Sequence, residues 1–356
     1  MTLPLLIIGA GPFGLAMSAY AKRSGIEHTV VGKPMEFWHA NMPKNMYLRS
    51  GADWHYDPFD EDTIECYLRT KNVAADEVNP LPLEFYLGYC DWFRRQKAIE
   101  LVPTQIRSLE LTNDASPHFK ATTESGQIFL ARNVVVAVGF RYFTNLPETY
   151  REMFPPGRFA HTCDFVDLAA LKNKRVLIIG GRQSAFEWAA LTNEQGADVV
   201  YVSYRHPTPE FVPSNWSWVN PLVDSMVTDP GFFRRLNRDE KEALVRRFWS
   251  EGRLKLEPWL AKRISNETIK LLPQSQVTAC KERPGGELEV TIDGAARIVD
   301  QVILATGYKV TLSQIPFLAN GNLLAQIGSS NGFPVLDEHL QSNVPGLFFT
   351  SMCATQ

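Results

Sequence analysis

The sequence holds little cysteine, and none of it falls in a close-spaced motif. Its five cysteines, Cys66, Cys90, Cys163, Cys280 and Cys353, are scattered, odd in number and without a CxxC. That argues against a disulfide framework, a zinc site and a redox-active disulfide. The seven histidines are equally dispersed and show no HExxH spacing, so no metal site is expected. No apolar run approaches the ~18 residues that span a bilayer. The first glycine-rich turn begins at Gly9, too early for a signal peptide, which makes the cytoplasm the expected compartment. Net charge is only −3, from 36 basic and 39 acidic residues, and gives no electrostatic case for nucleic acid or an anionic membrane. No catalytic triad or carboxylate pair is visible, and no residue is assigned a catalytic role.

What the sequence does hold is a pair of glycine turns. The first reads Gly9-Ala10-Gly11-Pro12-Phe13-Gly14 after the apolar run Leu5-Leu6-Ile7-Ile8. Gly9 allows a sharp strand-to-helix turn, and Gly11 lets the backbone approach a pyrophosphate. Gly14 permits close helix–strand packing, and the helix N-terminus supplies amides to the phosphates. A carboxylate for the ribose is expected about 20 residues on. The strand His28-Thr29-Val30-Val31 instead ends at Gly32-Lys33, with Glu36 the nearest acid and its reach left open.

The second turn, Gly180-Gly181-Arg182-Gln183-Ser184-Ala185, follows Arg175-Val176-Leu177-Ile178-Ile179. Ala185 still permits close packing. Arg182 stands where a middle glycine is expected, and two readings stay open. Either it folds back onto a pyrophosphate or 2′-phosphate, or it points away while Gly181 carries the turn. The strand Asp198–Ser203 leads to Arg205, a cation that favours NADP over NAD at this place. Two further apolar strands end in glycine: Asn133 to Gly139, and Val302 through Thr306 and Gly307 to Tyr308. Each follows its own nucleotide turn, as expected where a chain crosses between domains close to a cofactor.

These residues resemble the NADPH-using flavin-dependent monooxygenases, the group of the flavin-containing monooxygenases and the microbial N-hydroxylases. The resemblance covers most of the chain. It rests on the first turn, on Trp38-His39, on Gly180 to Glu187 and on Ala305-Thr306-Gly307-Tyr308. Gly157-Arg158-Phe159-Ala160-His161 looks like the GxxxH linker of those enzymes, which would make His161 a shaper of cofactor geometry. Thioredoxin-reductase-like flavoproteins share the two-turn layout, but the missing CxxC separates this chain from them.

The resemblance implies an α/β fold of two Rossmann-like, three-layer domains. A flavin domain (1–165 and 306–356) would be interrupted by an NAD(P)H domain (166–305) with a helical insertion at about 209–270. It implies that FAD and NADP, with NAD as the alternative, are held by both turns together with Trp38, His39, Met46, Gly139, Arg205, Thr306, Gly307 and Tyr308. NADPH would reduce FAD, and oxygen would then form a peroxyflavin that oxygenates nitrogen, sulfur, a carbonyl or an activated carbon of a small molecule. By the same resemblance the segment from Trp38 to Met46 passes over the flavin. N-hydroxylases place a glutamine and a substrate-contacting lysine just after it, where this chain has Tyr47 and Ala52, so an ornithine- or lysine-type substrate is not expected. The Baeyer–Villiger motif is not met at Phe165-Val166.

Two amphipathic helices are predicted, Leu83 to Gln96 with Tyr86, Trp92 and Phe93 inward, and Asn237 to Ser250 with a solvated charged face. Of the tryptophans after the second turn, Trp216 and Trp218 read as a loop, with cleft cap and core packing both open, and Trp249 and Trp259 read as core. Val344 to Ser351 resembles the last flavin-domain strand. The sequence stops at Gln356, before the helix that follows in related enzymes, which leaves a truncated record or a protein without that helix. Two rival functions remain: an FAD-dependent NAD(P)H oxidoreductase that does not oxygenate, and a non-catalytic redox sensor. Small-molecule substrate and oxygen are the expected partners, and homo-oligomers are left open.

Overall fold

The computed structural model describes residues 2–52, 55–113, 118–164 and 167–354. Phe165 and Val166 lie outside them. The chain divides into two compact units, one of residues 1–40, 47–144 and 308–356, the other of 41–46 and 145–307.

In the first unit, β1 (Leu3–Ile8) runs parallel to β2 (His28–Val31) on one side and to β3 (Ile128–Val136) on the other. The pairings Ile7–Val30 and Ile7–Val135 place the apolar run of β1 at the sheet centre, where Leu6 and Ile7 are fully buried. A central strand covered on both faces needs such an unbroken apolar sequence. Residues 101–102 extend the sheet beside β2, and Phe119–Thr123 and Ile106–Leu111 extend it antiparallel beyond β3. Leu347–Phe349 also pairs with β3 in parallel. The helix α1 (Pro12–Arg23) follows β1 directly, with proline in its first turn, where a missing N–H costs nothing. Leu83–Gln96 is helical over the predicted span. It buries Tyr86 and Phe93, with Trp92 half-buried.

The second unit repeats the plan. Its β4 (Arg175–Ile179) lies parallel between β5 (Val199–Ser203) and β6 (Gln301–Leu304). Ile269–Leu272 and Phe159–His161 complete an all-parallel sheet, and three antiparallel strands between 277 and 299 form a separate small sheet. The helix α3 (Gln183–Glu194) follows β4 as α1 follows β1. The first boundary falls at Thr144/Asn145, upstream of the expected 165/166, because Phe159–His161 is an edge strand on β6. The second falls at Gly307/Tyr308 in place of 305/306.

Between β5 and Ile269 stands a helical layer that includes α4 (Arg238–Phe248). A capping box at Asn237 and Glu240 starts α4. The helix ends two residues short of the predicted Ser250, because Trp249–Arg253 widens into a π-helical turn. None of its residues is buried, in keeping with a solvated face. Trp249, expected in the core, is 41% exposed.

The two glycine turns share one backbone contact. Gly9 has φ +116° and Gly180 has φ +148°. A Cβ on Gly9 would stand 2.3 Å from the carbonyl oxygen of Ala137, and one on Gly180 2.4 Å from that of Ala305. Gly9→Ala and Gly180→Ala are each expected to destabilise their unit by about 2–4 kcal/mol through strain and overlap. Gly11→Ala, whose Cβ meets nothing within 4 Å, should leave stability nearly unchanged. Denaturant midpoints check the contrast, and equal losses at all three positions would contradict it.

Candidate functional site

In the first unit the turn opens onto a cleft. Gly9, Gly11, Pro12 and Phe13 form one wall, and Trp38, Val138 and Gly139 contribute others. The N–H of Gly9 donates to Val31 (2.9 Å), and the N–H of Ala137 donates to Ile8 (2.8 Å), so the ends of β1, β2 and β3 are tied together under the cleft. Gly11 caps α1 without a side-chain acceptor, and the first turn of α1 carries no acidic residue. Its free amides and the positive end of the helix dipole suit an anion. Gly14 does not line the cleft. Its place is structural, since a Cβ there would stand 1.9 Å from the carbonyl oxygen of Gly9.

Glu36 is the acid whose reach the sequence left open. It lines the cleft at the start of the short helix α2 (Glu36–Ala40), where the chain turns through Met35 at φ +50°. Its carboxylate pairs with Lys33 (3.3 Å) and Arg141, and accepts from the amide of Gln105. Gln105 and Arg141 also line the cleft. They come from loops far along the chain, and no local pattern announced them. The aromatic rings of Phe37 and Phe140 lie 6.2 Å apart on its apolar side, and the tilted ring of Tyr308 packs on Phe140 at 4.9 Å.

The segment Trp38 to Met46 does not stay together. Trp38 lines the cleft, and His39 faces a second cavity with Leu87, Asp91 and Arg94. Met46 is buried and belongs to the second unit.

In that second unit the turn repeats the bonding under the first. The N–H of Gly180 donates to Ser203 (3.0 Å), and that of Ala305 donates to Ile179 (2.8 Å). Gly181 is packed tightly, with Tyr204 Cβ at 2.5 Å from where its own Cβ would be. Arg182 caps α3, and its guanidinium lies 5.9 Å from the ring centre of Trp249. Gln183 and Ala185 are buried, whereas Ser184 and Arg205 are exposed. Thr306 and Gly307 form a knot with Asn145. The Asn145 side chain donates to Thr306 (3.1 Å), the Thr306 hydroxyl donates back to Asn145 (2.5 Å), and the Asn145 N–H donates to Gly307 (2.9 Å).

His161 joins this knot. It is buried, and its Nε2–H donates to the carbonyl of Gly307 at 3.0 Å. That leaves Nδ1 as the acceptor, facing the Cys163 thiol at 3.3 Å and the Cys163 N–H at 3.4 Å. Asn41 donates to the carbonyl of Cys163 at 2.8 Å. Burial holds the His161 pKa below its ordinary value of 6.5. The unfolded chain therefore takes up a proton first as pH falls, so the stability His161 contributes is complete above about 6.5 and lost progressively below it.

The arrangement is that of a dinucleotide-binding protein, and a family model for pyridine nucleotide-disulphide oxidoreductases matches residues 6–229. The chain belongs to that family. A similar relative is the FAD-dependent urate hydroxylase of Xanthomonas campestris pv. campestris, 30% identical over 38% of this chain and 29% of its own length. The chain thus spans under a third of that relative. The thioredoxin reductase of Listeria monocytogenes is 21% identical over 97% of this chain and 83% of its own. Among solved structures, the ornithine N-hydroxylase of Kutzneria sp. 744 superposes with a TM-score of 0.79 at 15% identity, covering 98% of this chain and 92% of that one. Its likeness establishes the shared α/β fold. Among the described residues no helix is long and apolar enough to cross a membrane.

The linker knot gives a prediction. Between pH 7.5 and 5 the wild-type urea midpoint should fall further than that of His161→Gln, which lacks the titrating ring. Parallel pH profiles would show that His161 does not couple folding to protons.

Proposed function

We propose that this protein is an FAD-dependent, NADPH-using monooxygenase acting on a small organic molecule. The carrying observation is the duplicated turn, Gly9 against Ala137 and Gly180 against Ala305, which gives one chain two seats for dinucleotides. The urate hydroxylase and ornithine N-hydroxylase likenesses support oxygenation as the outcome. The sequence lacks a CxxC, and none of its five cysteines is in a disulfide, which fits poorly with a disulfide as the terminal acceptor.

The residues of the first cleft fit FAD. The open side of Gly11 and the amides of α1 accommodate the pyrophosphate, and Glu36 is placed to hold ribose hydroxyls. When bound, FAD supplies the hydride-accepting and oxygen-activating chemistry, so the chain itself needs no acid–base pair. Trp38, Phe37, Phe140 and Val138 give the cleft an apolar side that excludes water. The linker knot around His161, Thr306 and Asn145 positions the chain where it crosses between units. Tyr47 and Ala52, standing where N-hydroxylases carry glutamine and lysine, favour a substrate other than ornithine or lysine.

A second reading is a flavin reductase that passes hydride to an organic acceptor, favoured by the nearly full-length thioredoxin reductase match. Stopped-flow absorbance separates the two. The FAD-loaded chain, reduced anaerobically with NADPH and mixed with oxygen, should pass through a slowly decaying absorbance band before the oxidised spectrum returns. Direct reoxidation with stoichiometric peroxide, also in the presence of candidate amines, sulfides and ketones, would favour the reductase. Gly11→Ala should fold normally yet bind FAD at least tenfold more weakly, as its methyl occupies the side open to the phosphates. Unchanged FAD affinity would remove Gly11 from the site.

A further inference from the structure

The two turns differ most at their middle position, where Gly11 in one is Arg182 in the other. Arg182 keeps an extended backbone (φ −115°, ψ −178°) at the cap of α3 and is half-buried. Its guanidinium meets Trp249 at 5.9 Å from the ring centre, and the guanidinium of Arg253 reaches the same ring at 5.1 Å. Two like charges on one indole repel each other. Among the described residues neither pairs with a carboxylate, although neighbouring Lys255 and Arg263 both do.

The turn that presents Trp249 and Arg253 is the π-helical stretch Trp249–Arg253, a rare geometry that concentrates at functional sites. It is held in place by Trp216, whose ring lies so close to Gly252 that a Cβ there would stand 2.1 Å from it. Trp249 is left 41% exposed. Beside Arg182, the buried Gln183 accepts the N–H of Glu257 at 3.1 Å, while its amide nitrogen has no partner among the described residues. Ser184 adds an exposed hydroxyl. The place thus sets donors next to an exposed aromatic face.

We propose that Arg182, Trp249 and Arg253 form a clamp for the phosphate-bearing adenosine end of the pyridine dinucleotide. The guanidiniums close on phosphoryl oxygens, and the indole stacks on the adenine. This rests on reading the second unit as the one that binds NAD(P). The first turn takes phosphate by backbone approach over Gly11. The second takes it by side-chain charge, which Arg182 supplies at the same position. Trp249 and Arg253 lie about 70 residues beyond the turn, outside any glycine fingerprint, so the helical layer is part of the nucleotide site.

The test is titration of the FAD-loaded full chain with NADP+ and with NAD+, read by calorimetry and by tryptophan fluorescence. Arg182→Gly and Arg253→Gln should each weaken NADP+ binding about tenfold or more, as expected for loss of a charge-assisted contact. Trp249→Ala should weaken it and quench the fluorescence response, while Trp249→Phe keeps most of the affinity. The flavin spectrum and melting temperature report that each variant is folded. Equal losses for NADP+ and NAD+ place the guanidiniums on the pyrophosphate, and losses confined to NADP+ place them on the 2′-phosphate; both support the clamp. Unchanged NADP+ affinity in the folded double variant R182G/R253Q overturns the clamp and leaves the proposed function standing. No pyridine nucleotide binding by the unaltered chain defeats both.

Discussion

Each half of this protein depends on a glycine pressed against the carbonyl of a neighbouring strand end. At Gly9 the neighbour is Ala137, and at Gly180 it is Ala305. The contact can exist only without a Cβ, and it brings three parallel strand ends level, so that a helix starts directly above them. Everything proposed for the function follows from that levelling. The helix N-terminus is brought to the strand ends, its cap residue offers its first amides no side-chain acceptor, and a cleft opens over them. The third position shows that the two halves are similar and not identical. Gly14 packs so closely that no methyl fits, while Ala185 carries one in the buried state.

The charge distribution separates the halves more sharply than the fold does. In the first, Glu36 is held among Lys33, Arg141 and Gln105, a carboxylate fixed before any ligand arrives. In the second, the guanidiniums of Arg182 and Arg253 share one indole beside the turn. A flavin kept through many turnovers and a nicotinamide that must come and go pose different demands. A neutralised, preorganised seat suits the first and a charged surface with an exposed ring suits the second.

Much of this was legible in the sequence. The apolar runs before Gly9 and Gly180 could be little other than buried parallel strands, and both glycine patterns named the turn that follows. The predicted helix from Leu83 to Gln96 agrees with the structure because its inward residues repeat at helical spacing. The unit boundaries were less legible. The short strand Phe159–His161 joins the second sheet through pairing with residues far along the chain, which no local periodicity records. The same holds for Gln105 and Arg141 at Glu36, and for Arg253 at Arg182. Trp249 misled because a large aromatic beside a helix normally faces inward, and here the π-helical turn carries it out. Local rules thus located the two turns, while the partners that give each its chemistry came from tertiary placement.

The central claim is that one chain seats two dinucleotides at once, one per turn. Equilibrium dialysis of the purified chain with FAD and NADP+ together tests it most directly. One FAD and one NADP+ should bind per chain, with neither displacing the other. A single occupied site for which FAD and NADP+ compete would contradict it.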